Sequence, residues 1–279
     1  MENILKAIVC GAADAAETHL GRRAEDFIGD DGLLHCGKCK MPREIVVDFP
    51  FGRLQTKVNC RCDIERIERD RIAYEQRMYA EMVAENRKQA FRQPGLAAAR
   101  FGADSDKYTE AARRFVEHFP EFQKAGKGIL LYGGVGVGKT YLAACIINAL
   151  LDKGYTASVT DIRSISNDLF GKTEGKQAYI DDLCRKDIVL LDDLASERDT
   201  QYMNETAFTI INALYQSKVP VLVTTNLTVE QLKHPQSQAA ERIYSRILEM
   251  CHPIKVEGED RRRTRAASEY KAVNQLLGL

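Results

Sequence analysis

The chain has 279 residues, 44% of them hydrophobic, with only 7 prolines and 19 glycines, which excludes a disulfide miniprotein, a collagen-like chain and a disordered one and leaves room for one large domain or two of unequal size. Its 40 Lys plus Arg balance 40 Asp plus Glu, so any nucleic-acid contact must come from local clusters and not from net charge. No stretch approaches the roughly eighteen consecutive apolar residues of a spanning helix, and Met1 to Cys10 lacks a basic leader before an apolar core, so the expected compartment is the cytoplasm, with no membrane partner.

The first segment, 1–35, is acidic, and the next, 36–62, is basic and holds four of the eight cysteines. Cys36-Gly37-Lys38-Cys39 and Cys60-Arg61-Cys62 form two chelating hooks separated by twenty residues. Between them 44–49 and 53–58 alternate as strands, and Pro50-Phe51-Gly52 can turn, so a hairpin would bring the hooks together. Four thiolates suit tetrahedral zinc, and so short a segment needs metal binding energy to fold. Lys38, Lys40, Arg43 and Arg61 are expected to offset the charge of such a centre. His35 is an alternative ligand; four unligated thiols, or a redox pair at Cys36 and Cys39, are the competing readings. Cys10, Cys145, Cys184 and Cys251 lie in helical or apolar contexts and are expected to pack.

From 63 to 93 the chain is nearly half charged, with Ile64, Ile67, Tyr74 and Met78 near helical spacing and no Gly or Pro until Pro94-Gly95. This predicts a long, mostly solvated linker helix. After Gly126, candidate strands at 128–132, 156–160, 187–192, 219–225 and 253–256 alternate with helical stretches at 139–152, 161–170, 202–217 and 239–250. That rhythm predicts a mostly parallel sheet covered on both faces.

Between the first strand and helix, Gly133-Gly134-Val135-Gly136-Val137-Gly138-Lys139-Thr140 fills every fixed position of a phosphate loop. Glycines let backbone N–H groups face a β-phosphate, Lys139 reaches the β and γ phosphates, and the Thr140 hydroxyl ligates magnesium. Some fifty residues on, Ile188-Val189-Leu190-Leu191 ends in Asp192-Asp193 at the edge where ligands bind in such sheets. Asp192 fits the magnesium-side acid, and Asp193 would orient or deprotonate the attacking water. Asn226, at the tip of the next strand, could hold that water or the γ-phosphate, or form a turn.

These motifs, with Leu190-Leu191-Asp192-Asp193-Leu194-Ala195-Ser196-Glu197, Thr224-Thr225-Asn226 and Glu241-Arg242-Ile243-Tyr244-Ser245-Arg246-Ile247, resemble the AAA+ ATPases of the DnaC/DnaI helicase-loader and IstB transposition-helper clade over about 108–266. The resemblance implies an α/β AAA+ P-loop NTPase with a parallel five-stranded sheet at 108–279, an N-terminal zinc-bearing adaptor at 1–62 and a charged helical linker at 63–107. It implies ATP, Mg2+ and Zn2+ as cofactors, Asn226 as sensor 1, and Arg246 as an arginine finger reaching a neighbouring subunit, with Arg242 one turn earlier as its rival. Arg262 would be sensor 2, although Asp260 stands where the clade often has Ser. Asp193 replaces the Glu of most AAA+ enzymes, so hydrolysis is expected to be slow. The expected partners are a replicative hexameric helicase, single-stranded DNA and further copies of the chain in an ATP-dependent oligomer. Candidate DNA-contacting groups are Phe170, Lys172 and Lys176, and the basic run Arg261, Arg262, Arg263 and Arg265. A transposition-helper ATPase, or a zinc-bearing DNA-binding regulator with a nucleotide-sensing fold, is the alternative function.

Overall fold

The computed structural model describes residues 22–102, 106–169, 175–195 and 200–277. The chain divides into two units, Met1–Tyr79 and Ala80–Leu279.

In the first unit the alternating segments pair as expected. Strands β3 (Glu44–Phe49) and β4 (Gly52–Lys57) are antiparallel, and their register ends at Phe49↔Gly52, leaving Pro50-Phe51 as a two-residue loop. Pro50 fixes its own φ and Gly52 adopts φ +138°, so the turn chemistry matches the residues. A second antiparallel pair, β1 (Phe27–Ile28) with β2 (Leu34–His35), is too short to leave a period in the sequence. Helix α1 (Arg61–Ala90) follows. Its Ile64, Ile67, Tyr74 and Met78 are all exposed, as a thin apolar stripe on a solvated helix should be.

Among the described residues of this unit, the buried side chains are ionic as much as apolar. Arg43 is 3% exposed and Asp63 0%. Arg43 pairs with Asp26 and lies 3.5 Å from Asp63, which also pairs with Arg23. Arg43, expected beside the sulfurs as a counter-charge, therefore has its charge met by carboxylates. Arg61 turns to Glu65 at 2.9 Å, and Lys40 lies over the Phe27 ring.

The second unit opens, from Ala80, with the last turns of α1 and continues with α2 (Pro94–Ala97), α3 (Lys107–Glu117) and α4 (Phe119–Ala125). Asp106 caps α3 by accepting from the N–H groups of Tyr108 and Thr109. Then come β5 (Gly128–Tyr132), α5 (Lys139–Asp152), β6 (Ala157–Thr160), α6 (Ile162–Leu169), α7 (Lys176–Cys184), β7 (Ile188–Leu194) and α8 (Gln201–Gln216). The unit closes with β8 (Val221–Thr225), α9 (Val229–Lys233), α10 (Gln238–Met250), β9 (Cys251–Lys255) and α11 (Arg261–Leu277). The five strands are parallel, in the order β6-β7-β8-β5-β9.

Alternate residues of the central strands β5, β7 and β8 feed two cores. Ile129, Leu131, Ile188 and Leu190 pack with Phe115, Phe119, Ile147 and Leu151 on one face. Leu130, Val189, Leu191 and Val223 pack with Ile165, Ile210, Leu214 and Ile247 on the other. Burial on both faces is why these strands read as unbroken apolar runs. Cys145 and Cys251 are buried and Cys184 partly so, while Cys10 lies outside the described residues.

The structure departs from the sequence reading at several ends. The strand expected at 187–192 continues to Leu194, and the last strand starts at Cys251. Lys176 opens a helix instead of sitting in a loop, and the run from Arg261 opens α11. Phe170 and Lys172 lie outside the described residues, as does the side chain of Arg265.

Gly128 illustrates how closely the central strands approach, since a Cβ there would overlap the Val221 carbonyl on β8. Backbone cannot give way as a side-chain tip can, so Gly128→Ala should lower unfolding free energy by about 1–3 kcal/mol, read by chemical denaturation of the full chain.

Candidate functional site

The loop 133–138 joins β5 to α5, and its Gly133, Gly136 and Gly138 have φ of +149°, +79° and +100°. At Gly133 a Cβ would overlap the Val256 carbonyl, and at Gly136 it would overlap the Asp260 carboxylate. Val135 is exposed at the crest and Val137 is buried beneath it. No side chain caps the N-terminus of α5, which leaves its first N–H groups available to an anion.

Lys139 folds back over this loop. Its Nζ donates to the carbonyls of Gly133 (3.0 Å) and Gly134 (2.7 Å) and to Asn226 Oδ1 (2.8 Å). Burial lowers its pKa, and Arg262 acts in the same direction, while Asp193 and Asp192 oppose it. Arg262 is thus within electrostatic range of the lysine that would meet a phosphate. Asp260 caps the helix that carries it, accepting from the Arg262 N–H at 3.0 Å, the capping chemistry a serine would supply there.

The carboxylates stand opposite. Thr140 Oγ1 donates to Asp192 Oδ1 at 2.9 Å, and Asn226 Nδ2 donates to Asp193 Oδ1 at 3.1 Å. Asp193 is exposed and has a left-handed φ of +53°. Lys139, Thr140, Asp192, Asp193 and Asn226 therefore meet at the ends of β5, β7 and β8. The donor set fits a phosphate with its magnesium ion: a cation and free helix N–H groups for the anion, a hydroxyl and a carboxylate for the metal.

At Gly138 a cavity of about 200 Å³ has Phe101, Tyr108, Val137, Tyr141 and Cys145 in its lining, together with Arg100 and Arg261. Sequence reading missed Phe101 and Tyr108, which belong to no motif and lie more than twenty residues before the loop. Burial pushes the Cys145 thiol up to about 11.

Arg246 is not brought to this loop. On α10 its Nε donates to Asn212 Oδ1 (3.1 Å) and its Nη1 to the Arg242 carbonyl (2.8 Å), and its guanidinium lies over the rings of Phe208 and Tyr215. The exposed Arg242 side chain makes no hydrogen bond or ion pair among the described residues.

In the first unit the sulfurs of Cys36, Cys39, Cys60 and Cys62 lie within 4.8 Å of one another and could hold a metal ion. Metal–sulfur bonds of about 2.3 Å in a tetrahedron fit that spread. Hydrogen bonds, the largest from the Cys62 backbone, hold the Cys39 thiol low, at about 6, whereas burial pushes Cys60 up. His35 does not join the cluster. Its Nδ1 faces the Lys40 carbonyl at 3.1 Å and its Nε2 the Asp31 carboxylate at 3.0 Å. These two contacts raise its pKa, the Lys40 carbonyl most, and leave no ring lone pair for a metal.

A model of the family described as IstB-like ATP binding protein matches residues 87–269. The chain belongs to this family. Its β5-loop-α5 unit and its sheet order are those of the AAA+ nucleotide-binding fold. As an IstB-like chain it is similar to the replicative helicase loader DnaI of Bacillus subtilis (strain 168), 28% identical over 52% of this chain and 53% of that one. It is also similar to the replicative helicase loader DnaC of Escherichia coli (strain K12), 29% identical over 43% of this chain and 50% of that one. A crystal structure of DnaI aligns with a TM-score of 0.53 at 26% identity, over 63% of this chain and 98% of the solved one. The aligned part spans about half the length of these curated relatives. No helix among the described residues is long and apolar enough to cross a membrane.

Lys139→Ala should weaken ATP binding roughly 10- to 100-fold, since a charged hydrogen bond contributes about 1.5–3 kcal/mol. Asp193→Asn should leave binding within about threefold and slow turnover by roughly 10²-fold or more; fluorescent-nucleotide titration and phosphate release separate the two. In the first unit, elemental analysis of the purified chain should find one zinc ion per molecule. That metal should be lost in Cys60→Ser, with faster amide exchange in β3 and β4.

Proposed function

We propose that this IstB-like chain is an ATP-hydrolysing helicase loader of DNA replication. Its N-terminal zinc module would hold a replicative hexameric helicase, and its ATPase domain would assemble on single-stranded DNA. What supports this reading is the joining, in one chain, of a phosphate loop with its facing acids to an N-terminal cluster of four cysteines. We take 1–62 as the adaptor, 63–107 as the charged helix and linker, and 108–279 as the AAA+ domain.

In this reading Gly133, Gly134, Val135, Gly136, Val137 and Gly138 wrap the phosphates, and Lys139 exchanges its carbonyl and Asn226 contacts for phosphate oxygens. The cavity at Phe101 and Tyr108 takes the base. Thr140 and Asp192 would hold magnesium, which supplies charge neutralisation at the transferred phosphoryl group. Asp193 positions and deprotonates the attacking water, with Asn226 fixing its carboxylate, and Arg262 adds positive charge beside Lys139. Being one methylene shorter than Glu, Asp193 makes hydrolysis slow. Zinc would be held by Cys36, Cys39, Cys60 and Cys62 and would supply folding energy to a unit whose described residues bury few apolar side chains.

Arg246 acts between subunits, because its contacts within the chain lie on α8 and α10 and not on the phosphate loop. Arg246→Ala should bind ATP normally and lose about tenfold or more of its assembly-dependent turnover. Mixing it with Lys139→Ala subunits should restore part of the activity, measured at a series of ratios in assemblies shown to be mixed. Arg242→Ala should have the smaller effect, and the reverse ranking would make Arg242 the finger.

The loader assignment is tested with the full chain on immobilised cognate helicase. Cys60→Ser should lose helicase retention and keep ATP binding; Lys139→Ala should keep helicase retention and lose ATP-dependent binding of a labelled single-stranded oligonucleotide. A chain that binds DNA through its N-terminal module and retains no helicase would instead be a regulator.

A further inference from the structure

Strands β7 and β8 run in register to Leu191↔Val223 and resume at Leu194↔Thr225. Asp192 and Asp193 together therefore stand opposite a single residue, Thr224. Such a bulge takes an N–H out of the ladder and re-aims a side chain, and at Asp193 it does so with the left-handed φ of +53°.

The displaced group has a partner. The Asp193 N–H donates to Thr224 Oγ1 at 2.8 Å, and the Thr224 hydroxyl donates to Asp192 Oδ1 at 2.6 Å. The same Asp192 oxygen accepts from Thr140 Oγ1. A hydroxyl carries one hydrogen and two lone pairs, so this one side chain can receive the freed amide and orient the carboxylate at once. Thr224 is 1% exposed, which keeps water from substituting for it. Valine, with the same shape and branching, could do neither.

We propose that Thr224 is a positioning residue of the ATPase site, locking the bulge so that Asp192 faces the metal position and Asp193 the water position. This rests on the roles given above to those two acids. Its effect passes through them, so loss of the hydroxyl should disturb metal binding and turnover more than nucleotide binding.

The test uses the full-length chain with Thr224→Val, Thr224→Ser and Asp192→Asn. Three quantities are measured: kcat and KM for ATP with magnesium, binding of a fluorescent non-hydrolysable ATP analogue without metal, and Mn2+ affinity of the analogue complex by electron paramagnetic resonance. Thr224→Val should bind the metal-free analogue within about twofold of the parent, yet lose roughly 10- to 100-fold in kcat and in Mn2+ affinity, as outer-shell partners of metal ligands do. Thr224→Ser should restore both. If Thr224→Val matches the parent in kcat and Mn2+ affinity while Asp192→Asn is impaired, Thr224 has no positioning role. If Asp192→Asn is also unimpaired, the metal-side assignment itself falls. Thr224→Ser as poor as Thr224→Val would also overturn the proposal, because the methyl group and not the hydroxyl would then matter. Should Thr224→Val not fold, Thr224→Cys, a weak donor and acceptor of similar size, replaces it: a reduced Mn2+ affinity supports the proposal, and the parent value overturns it.

Discussion

The insertion of β8 between β5 and β7 is the constraint on which the nucleotide site depends. Neighbouring parallel strands lie about 4.8 Å apart, so the loop after β5 and the acids at the end of β7 are two strand spacings from each other. A phosphate with its metal ion needs that room, and the residues at the tip of β8 bridge it. Asn226 touches Lys139 on one side and Asp193 on the other, and Thr224 ties Asp193 to Asp192. The site is a chain of hydrogen bonds crossing three strand ends, and the two packed faces of the sheet hold those ends still. In such a network Lys139 already occupies an acceptor-rich hollow without phosphate, its charge met by carbonyls and by an amide oxygen.

The first unit solves a different problem. Among its described residues the buried apolar side chains are few, and Arg43, Asp26 and Asp63 are buried with them. Buried ion pairs give little net stability, because desolvation offsets their attraction, but they punish any other arrangement by leaving a charge unpaired. They specify the fold of the unit without supplying its free energy. A metal held by the four cysteines would supply that energy, and the two arrangements meet where the Cys60 thiol faces Asp63 at 3.2 Å.

Arg246 shows how packing can fix the orientation of a cationic side chain. A guanidinium lying over two rings and bonded to Asn212 has lost much of its rotamer freedom within its own subunit. It is thus held in one orientation against α8 and α10. Arg242 lacks such a cradle and has its conformational freedom still to lose.

The phosphate loop, the Asp192-Asp193 strand end, the cysteine hooks and the alternation of strands and helices were all legible in the sequence. In each case the physical requirement is local: glycines where φ must be positive, apolar runs where a strand is buried on both faces, thiols spaced to chelate. The order of the five strands, the cavity at Phe101 and Tyr108, the engagement of His35 by Asp31 and Lys40, and the burial of Arg43 were not. Nor was the role of Thr224, which as a residue type is an ordinary member of a β-strand. These features depend on which distant segments meet: a hydroxyl becomes a hinge pin only when a bulge thirty residues away frees an amide beside it, and an arginine becomes interior only when two carboxylates surround it. Sequence alone determined the chemistry available to this protein, because that resides in residue types at fixed spacing. Only the tertiary structure decided which groups touch, because hydrogen bonds and ion pairs act over about 3 Å while the residues that make them lie tens of positions apart.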